Sequence, residues 1–317
     1  MPKKPSTPPS RGRCPKRSTT SAACSNWPSP ARIKKKACAP SLKNENQPGR
    51  GNSRVWEYND LILAFQELKL NNKAVVAHAS LRAFGQVTGG ADSIATALMY
   101  SMGAVIMPTH TYKTMITPAS GPANNAVNYS RAQAWNRLAE PFDPNMPADV
   151  MMGVVPESLR QRPQASRSMH PILSFAGVNA GKILQTQTLE NPFAPLMEIA
   201  NADGWVVLLG VDHTANTAIH LGEKLASRKQ FTRWALTENG TVTCPGFPGC
   251  SAGFEALEPA LRPHTVVIQV GQAAIRAMPM RMVIVQTMQA IKKDPLALLC
   301  DRADCERCAA VREGLKN

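Results

Sequence analysis

A chain of 317 residues, 44% of them hydrophobic, is long enough for one large domain or two smaller ones with a sizeable core. Its formal charge of +14 is uneven: residues 1–54 hold 13 of the 36 basic residues and a single acid, Glu45, which leaves 23 basic against 21 acidic residues beyond them. The near-neutral remainder gives no argument for nucleic-acid binding by the core, and no run reaches the roughly 18–20 apolar residues of a membrane-spanning helix.

The first 54 residues carry nine prolines, abundant Ser and Thr, and the run Lys34 to Lys36. Such a segment cannot bury enough surface to offset its ordering entropy, so a disordered basic extension is expected over 1–54. It shares the basic, acid-poor composition of a transit peptide, but its prolines oppose an amphipathic helix, and it shows no apolar core of a secretory signal. A cytoplasmic protein is expected, with order from about Val55 to residue 317.

Leu61 to Leu70 has the spacing of an amphipathic helix. Ala74 to His78 reads as a buried strand, followed by a loop with Gly85, Gly89 and Gly90, a helix from Ala91 to Met102 and a strand from Ala104 to Met107. That order predicts a parallel βαβ unit and an α/β fold. Residues 108–150 lack a regular period, as functional loops do. A short helix over Gly153–Arg160 and a strand over Val206–Leu209 come next. A helix capped by Asn216 or Thr217 then carries His220 and Glu223. A β-rich section around Thr232–Val242, a strand over Thr265–Val270, a helix near Gln272–Met278 and a helix over Val283–Lys293 complete the reading.

Three polar pairs follow predicted strands: His78 with Ser80, Thr109 with His110, and Asp212 with Asn216. In open α/β sheets, ligands bind beyond the carboxyl ends of the strands. The loop Ser80 to Gly90 has the glycines to bring backbone N–H groups to a phosphate, but matches no dinucleotide or Walker fingerprint. In Arg167-Ser168-Met169-His170-Pro171, the proline bars the helical region to His170, and Arg167 is a candidate partner for a phosphate or carboxylate. His220 and Glu223 lie three apart on one helix face. An imidazole and a carboxylate are the parts of a general-base site.

Eight cysteines fall in two groups: Cys14, Cys24 and Cys38 in the basic segment, and Cys244, Cys250, Cys300, Cys305 and Cys308 in the last quarter. The spacing C-x4-C-x2-C from Cys300 suits three ligands of tetrahedral zinc, with Cys250 preferred over Cys244 as the fourth.

Several blocks together resemble the aminoglycoside 3-N-acetyltransferase family. They include Val76 to Leu81, Gly85 with Val87 to Ala91, Val105 to Thr109, Pro141 to Pro144, Arg167 to Pro171, Ser174 to Ala176, Leu208 to Val211, Asn216 to Glu223, and Gly249 to Ser251 with Gly253-Phe254. The resemblance runs from about Trp56 to Arg312. It implies an α/β/α layered fold over 55–317, acetyl-CoA as donor and an aminoglycoside amine as acceptor. It implies that Ser80, Leu81, Gly85, Val87 and Ser168 line the CoA path, that His170 is the active-site histidine, and that Glu223 is its acidic partner at the acceptor site. Ala79, where members often carry serine, and the basic extension depart from the pattern.

In such a reaction an imidazole near its ordinary pKa takes a proton from the acceptor amine, and either His170 or Glu223 fits as the base. Asp143, Asp149, Glu157 and Asp212 complement a polycation. Another amine metabolite as acceptor, or a non-catalytic CoA- and zinc-binding module, are the competing expectations.

Overall fold

The computed structural model describes residues 55–316. The extension expected over 1–54, with Cys14, Cys24 and Cys38, lies outside the described residues.

The organising element is a seven-stranded sheet. Its strands are β1 (Ala74–Ala79), β2 (Ala104–Pro108), β4 (Ala165–Arg167), β5 (Phe175–Val178), β6 (Trp205–Leu209), β9 (Val266–Val270) and β10 (Ala273–Pro279), in the order β4-β5-β2-β1-β6-β10-β9. The central strands β2, β1 and β6 are parallel, in the register Val75↔Val105 and Val76↔Val206. The flanking strands β5 and β10 run antiparallel to their inner neighbours. Continuous apolar runs, with Val75, Val76 and Ala77 fully buried, are what a sheet covered on both faces requires. A smaller antiparallel sheet joins β3 (Met115–Ile116), β7 (Phe231–Thr237) and β8 (Gly240–Phe247) in the order β3-β7-β8.

One face of the large sheet is covered by α1 (Tyr58–Gln66), α2 (Gly90–Ser101) and α3 (Val154–Arg160), whose Leu61, Phe65, Ile94, Leu98, Val155 and Leu159 join Val75, Ala77, Val207 and Leu209 in one core. α1 begins with a capping box between Glu57 and Asp60. The opposite face carries α4 (Ala194–Asn201), α5 (Thr217–Leu225) and α6 (Met280–Lys293), with α7 (Glu306–Gly314) beyond them. The expected α/β/α layering is the architecture found. α5 packs on α6 at close range: a Cβ on Gly222 would stand 2.6 Å from Thr287 Cβ.

The helix expected near Gln272–Met278 is a strand, β10. Its alanines favour helix locally, but burial alternates along it through Ala273, Ile275 and Ala277, and Gly271 at φ +61° closes a two-residue turn with β9. Tertiary pairing with β6 outweighs propensity there. The strands β3, β4 and β5, at two to four residues each, are too short to show a period in the sequence.

Because β5 enters where β2 leaves (Pro108↔Phe175), the segment before β5 joins the carboxyl ends of β1, β2 and β6 on one edge of the sheet. The polar pairs predicted after the strands converge on that edge.

Candidate active site

The exit of β2 and the entry to β5 are zipped together. Thr109 N–H donates to Ser174 O at 2.9 Å and Thr111 N–H to Ile172 O at 2.9 Å, while the hydroxyls of Thr111 and Thr114 both donate to Pro171 O at 2.6 and 2.8 Å. This clamp sets the turn that His170 begins.

Within it, His170 Nδ1 accepts the backbone N–H groups of Ile172 (3.1 Å) and Leu173 (3.0 Å). A neutral ring bonded in this way carries its proton on Nε2. Burial lowers the imidazole to about 4. In this tautomer the basic nitrogen, Nδ1, is engaged by two backbone donors, and burial opposes charging of the ring. What it offers is an Nε2–H group, which is buried and has no partner among the described residues.

The neighbouring groups obey the same constraint. Burial lowers His78 to about 3, and its Nε2 accepts Thr217 N–H at 3.4 Å, tying β1 to the start of α5. His110, also lowered to about 3 by burial with help from His170, His78 and His220, lies 3.0 Å from Tyr112 Oη through Nδ1. Its Nε2 is likewise unpartnered among the described residues. The electrostatic influence of the other three imidazoles on His110 places all four in one region.

Arg167 is not free for a phosphate or carboxylate. Its guanidinium donates to Ser174 Oγ (3.1 Å), Pro144 O (3.0 Å), Thr109 O (2.7 Å) and Met146 O, and it lies over the Phe142 ring. Ser168 is buried, and its hydroxyl accepts Phe175 N–H at 2.8 Å and donates to Phe175 O at 3.2 Å. Ser80 and Leu81 remain half-exposed in the turn after β1, with Gly85 at φ +79° and Val87 following.

A paired imidazole and carboxylate lie on α5. Asn216 caps that helix, its side chain accepting Ala218 N–H at 3.1 Å. His213, just before it, is held by Glu258 at 3.0 Å through Nε2 and by Glu255 through its own N–H, so it serves the loop's structure. One turn into α5, His220 Nδ1 lies 2.8 Å from Glu223 Oε2. A carboxylate accepts only, so Nδ1 donates, and in the neutral ring Nε2 carries the lone pair. The ring lies between Phe193, stacked at 6.2 Å between centroids, and Phe254, edge-on at 4.7 Å. Glu223 is 2% exposed, and Arg228 Nη1 approaches its other oxygen at 3.3 Å. His220 and Glu223 were visible in the sequence as an i, i+3 pair; the pairing of His220 rather than His170 with Glu223, and the parts of Arg228, Phe193 and Phe254, were not.

Asp143, Asp149 and Asp212 keep solvent exposure and accept the N–H groups of Asn145, Met151 and Thr214, capping the turns they begin. Asp149 is tied to the site by its own N–H, which donates to His110 O at 2.8 Å.

Cys250, Cys300, Cys305 and Cys308 bring their sulfurs within 4.8 Å of one another, with Cys250–Cys300 at 3.8 Å and Cys300–Cys308 at 3.5 Å. The edges of a tetrahedral four-thiolate zinc site are about 3.8 Å, so the donor set and its spacing fit that ion. Hydrogen bonding from Cys308 lowers the Cys250 thiol below its ordinary value. Cys244 lies apart from the cluster and is pushed up to about 12 by burial.

The sequence profile of the aminoglycoside 3-N-acetyltransferase family matches residues 76–292. The chain is 37% identical over 114 residues to aminoglycoside N(3)-acetyltransferase IV of Salmonella sp, an alignment covering 34% of this chain and 42% of that protein. The chain spans about half the length of the curated relatives it matches, 42% to 58% in the first of them. The crystal structure of the aminoglycoside acetyltransferase AAC(3)-IVa apoenzyme superposes with a TM-score of 0.68 and 26% identity, over 83% of this chain and 99% of that one. AAC-IIIb, solved as a binary complex with CoASH, shares the fold at a TM-score of 0.62 and 21% identity, over 76% of this chain and 97% of that one. With more than half of its length matched by the family profile, the chain belongs to the aminoglycoside 3-N-acetyltransferase family.

Proposed function

We propose that this protein transfers the acetyl group of acetyl-CoA to the 3-amino group of a 2-deoxystreptamine aminoglycoside, and so confers antibiotic resistance. The observation that carries the reading is the buried Glu223 carboxylate on His220 Nδ1, which leaves Nε2 as a base. The bound acceptor ammonium first releases one proton to solvent, and as the free amine attacks the thioester carbonyl its nitrogen gives a second proton to Nε2. As the C–N bond forms and the C–S bond breaks, the imidazolium passes that proton to the departing CoA thiolate. Glu223 stabilises the imidazolium that forms between these steps. His170 contributes its unpartnered Nε2–H as a donor to the developing oxyanion, a role that suits a neutral, buried imidazole.

Ser80, Leu81, Gly85 and Val87 are assigned to the CoA path, supported by their place at the end of β1 and by the CoASH complex of a fold relative. Asp143, Asp149 and Asp212 attract the polycationic acceptor. The catalytic domain is assigned to 55–317, and structural zinc to Cys250, Cys300, Cys305 and Cys308. Four thiolates leave no open coordination position, so such an ion would organise the chain and take no part in the chemistry. Reduced thiols and a need for acetyl-CoA suit the cytoplasm.

Release of CoA thiol, measured over a panel of aminoglycosides and simple polyamines, tests the reading. Turnover confined to aminoglycosides supports it. Turnover on other amines alone moves the acceptor class, and CoA binding without any turnover leaves a binding module.

A further inference from the structure

We propose that Arg228 is a positioning residue for the His220–Glu223 pair, and that its setting is governed by the four-cysteine cluster through residues 295–300. The inference rests on the acetyl-transfer and metal-binding readings above and links them, although the cluster itself takes no part in the chemistry.

The chain of contacts is continuous. Arg228 is 7% exposed, and its guanidinium joins two places. Nη1 reaches Glu223 Oε1 at 3.3 Å, the carboxylate whose other oxygen accepts from His220. The same Nη1 donates to Ala297 O at 2.7 Å, and Nη2 donates to Pro295 O at 2.8 Å. These carbonyls lie on the connection that runs from α6 to Cys300. A rigid fork bonded to two fixed carbonyls has little freedom to choose where it meets the carboxylate.

That connection is itself anchored by the cysteine-bearing end. Arg312 donates to Cys300 O at 2.7 Å, while the sulfurs of Cys300, Cys308 and Cys250 draw together. A Cβ on Gly253 would stand 2.5 Å from Leu298 O, so the segment after Cys250 lies directly against the same connection. A second route meets the carboxylate from the other side. Arg307, one residue before Cys308, donates to Gly249 O at 2.7 Å, and a Cβ on Gly249 would stand 3.8 Å from Glu223 Oε2. The cluster therefore holds both the guanidinium that faces Glu223 and the backbone that passes beside it. Releasing the sulfurs frees residues 295–300, lets the fork shift, and changes the charge and direction presented to His220.

The test is a double-mutant cycle on the full chain as purified, with Arg228→Lys and Cys308→Ser, read by steady-state kinetics, metal content and the His220 imidazole resonances in NMR. Lysine keeps the charge but loses the fork. Because misplacing a reacting group by about 1 Å costs on the order of 10²-fold, Arg228→Lys is expected to lower kcat at least about tenfold. The KM for acetyl-CoA and the metal content should stay unchanged, and the His220 resonances should shift. Cys308→Ser should shift the same resonances in the same direction, and the double variant should be no worse than the poorer single one. Multiplicative losses, or His220 resonances unmoved by either change, overturn the proposal. If Cys308→Ser fails to fold, chelation and zinc return on the wild-type protein replace that arm. Wild-type protein without aminoglycoside turnover would sink the acetyl-transfer reading while the resonances still test the link. Protein purified without metal would sink the zinc reading, and unmoved resonances in Cys308→Ser would then sink the coupling too.

Discussion

Glu223 lies one helical turn beyond His220 and meets its Nδ1 at 2.8 Å from a fully enclosed position, so this imidazole has Nδ1 fixed as the donor and Nε2 left outside the pair. The opposite holds for His170, whose Nδ1 is the acceptor of two backbone N–H groups. The two histidines are therefore expected to fail in different ways when replaced.

His220→Ala should lower kcat by about 10²- to 10⁴-fold, the range for removing general-base help, with the fold and CoA affinity kept. His170→Ala should also reduce turnover, by on the order of 10² or more through a lost hydrogen-bond donor. The acidic limb of its pH–rate profile, which reports the base, should keep the wild-type midpoint. Near-normal turnover of a folded His220→Ala protein would remove that imidazole from the reaction.

Glu223→Gln keeps the side chain's shape but leaves Arg228 buried without its anion. Breaking a buried pair from one side costs about 3–5 kcal/mol, so a clear fall in melting temperature should accompany the loss of turnover. An unchanged melting curve would show that the pair is not closed in solution.

Stability should fall as pH drops from about 6.5 toward 4. His78 and His110 are held near 3 and His170 near 4 in the folded protein, mainly by burial, whereas each titrates near 6.5 when unfolded. Below 6.5 the unfolded chain therefore binds protons that the folded chain does not, and stability present above that value is lost as pH falls toward the folded values. At pH 5 the loss is about 2 kcal/mol for each. Urea melts at pH 7 and pH 5 check this, and His110→Phe should reduce the difference by one histidine's share.

About one zinc per chain is expected in protein purified without added metal, held by Cys250, Cys300, Cys305 and Cys308. Chelation should lower the melting temperature, since an ion that binds only the folded chain is linked to folding. Substoichiometric zinc, with Cys244 and the four cluster thiols all titrating freely, would discard the site.

A chain beginning at residue 55 is expected to match the full chain in kcat and melting temperature. The family profile begins at residue 76, and the segment removed carries most of the net charge without a core-forming pattern. A large drop in stability on truncation would show that the first 54 residues dock on the domain.

Much of the fold was legible in the sequence because apolar runs bounded by turn residues mark buried strands; β1, β2 and β6 and the intervening α2 follow from that alone. β10 was not, since alanines and an arginine spread over its length look helical until β6 and β9 are placed beside it. The site divides in the same way. Spacing put His220 and Glu223 on one face, and Cys300, Cys305 and Cys308 within reach of one ion. Which nitrogen of His170 carries a proton depends on the N–H groups of Ile172 and Leu173, and what meets Glu223 depends on an arginine held by carbonyls some 70 residues away. Neither relation leaves a pattern in the residue types.

The contact of Gly222 with Thr287 has a consequence for how such a site can diversify. Gly222 is on the side of α5 turned away from the His220–Glu223 pair, and a hydrogen is all that fits between it and α6. The rotational phase of α5 is pinned from behind, so the direction in which His220 faces is a fixed dimension of the scaffold. Under the proposed function, new acceptor shapes would be accommodated by the loops after β2 and β6, which carry Asp149 and Asp212, while α5 stays still.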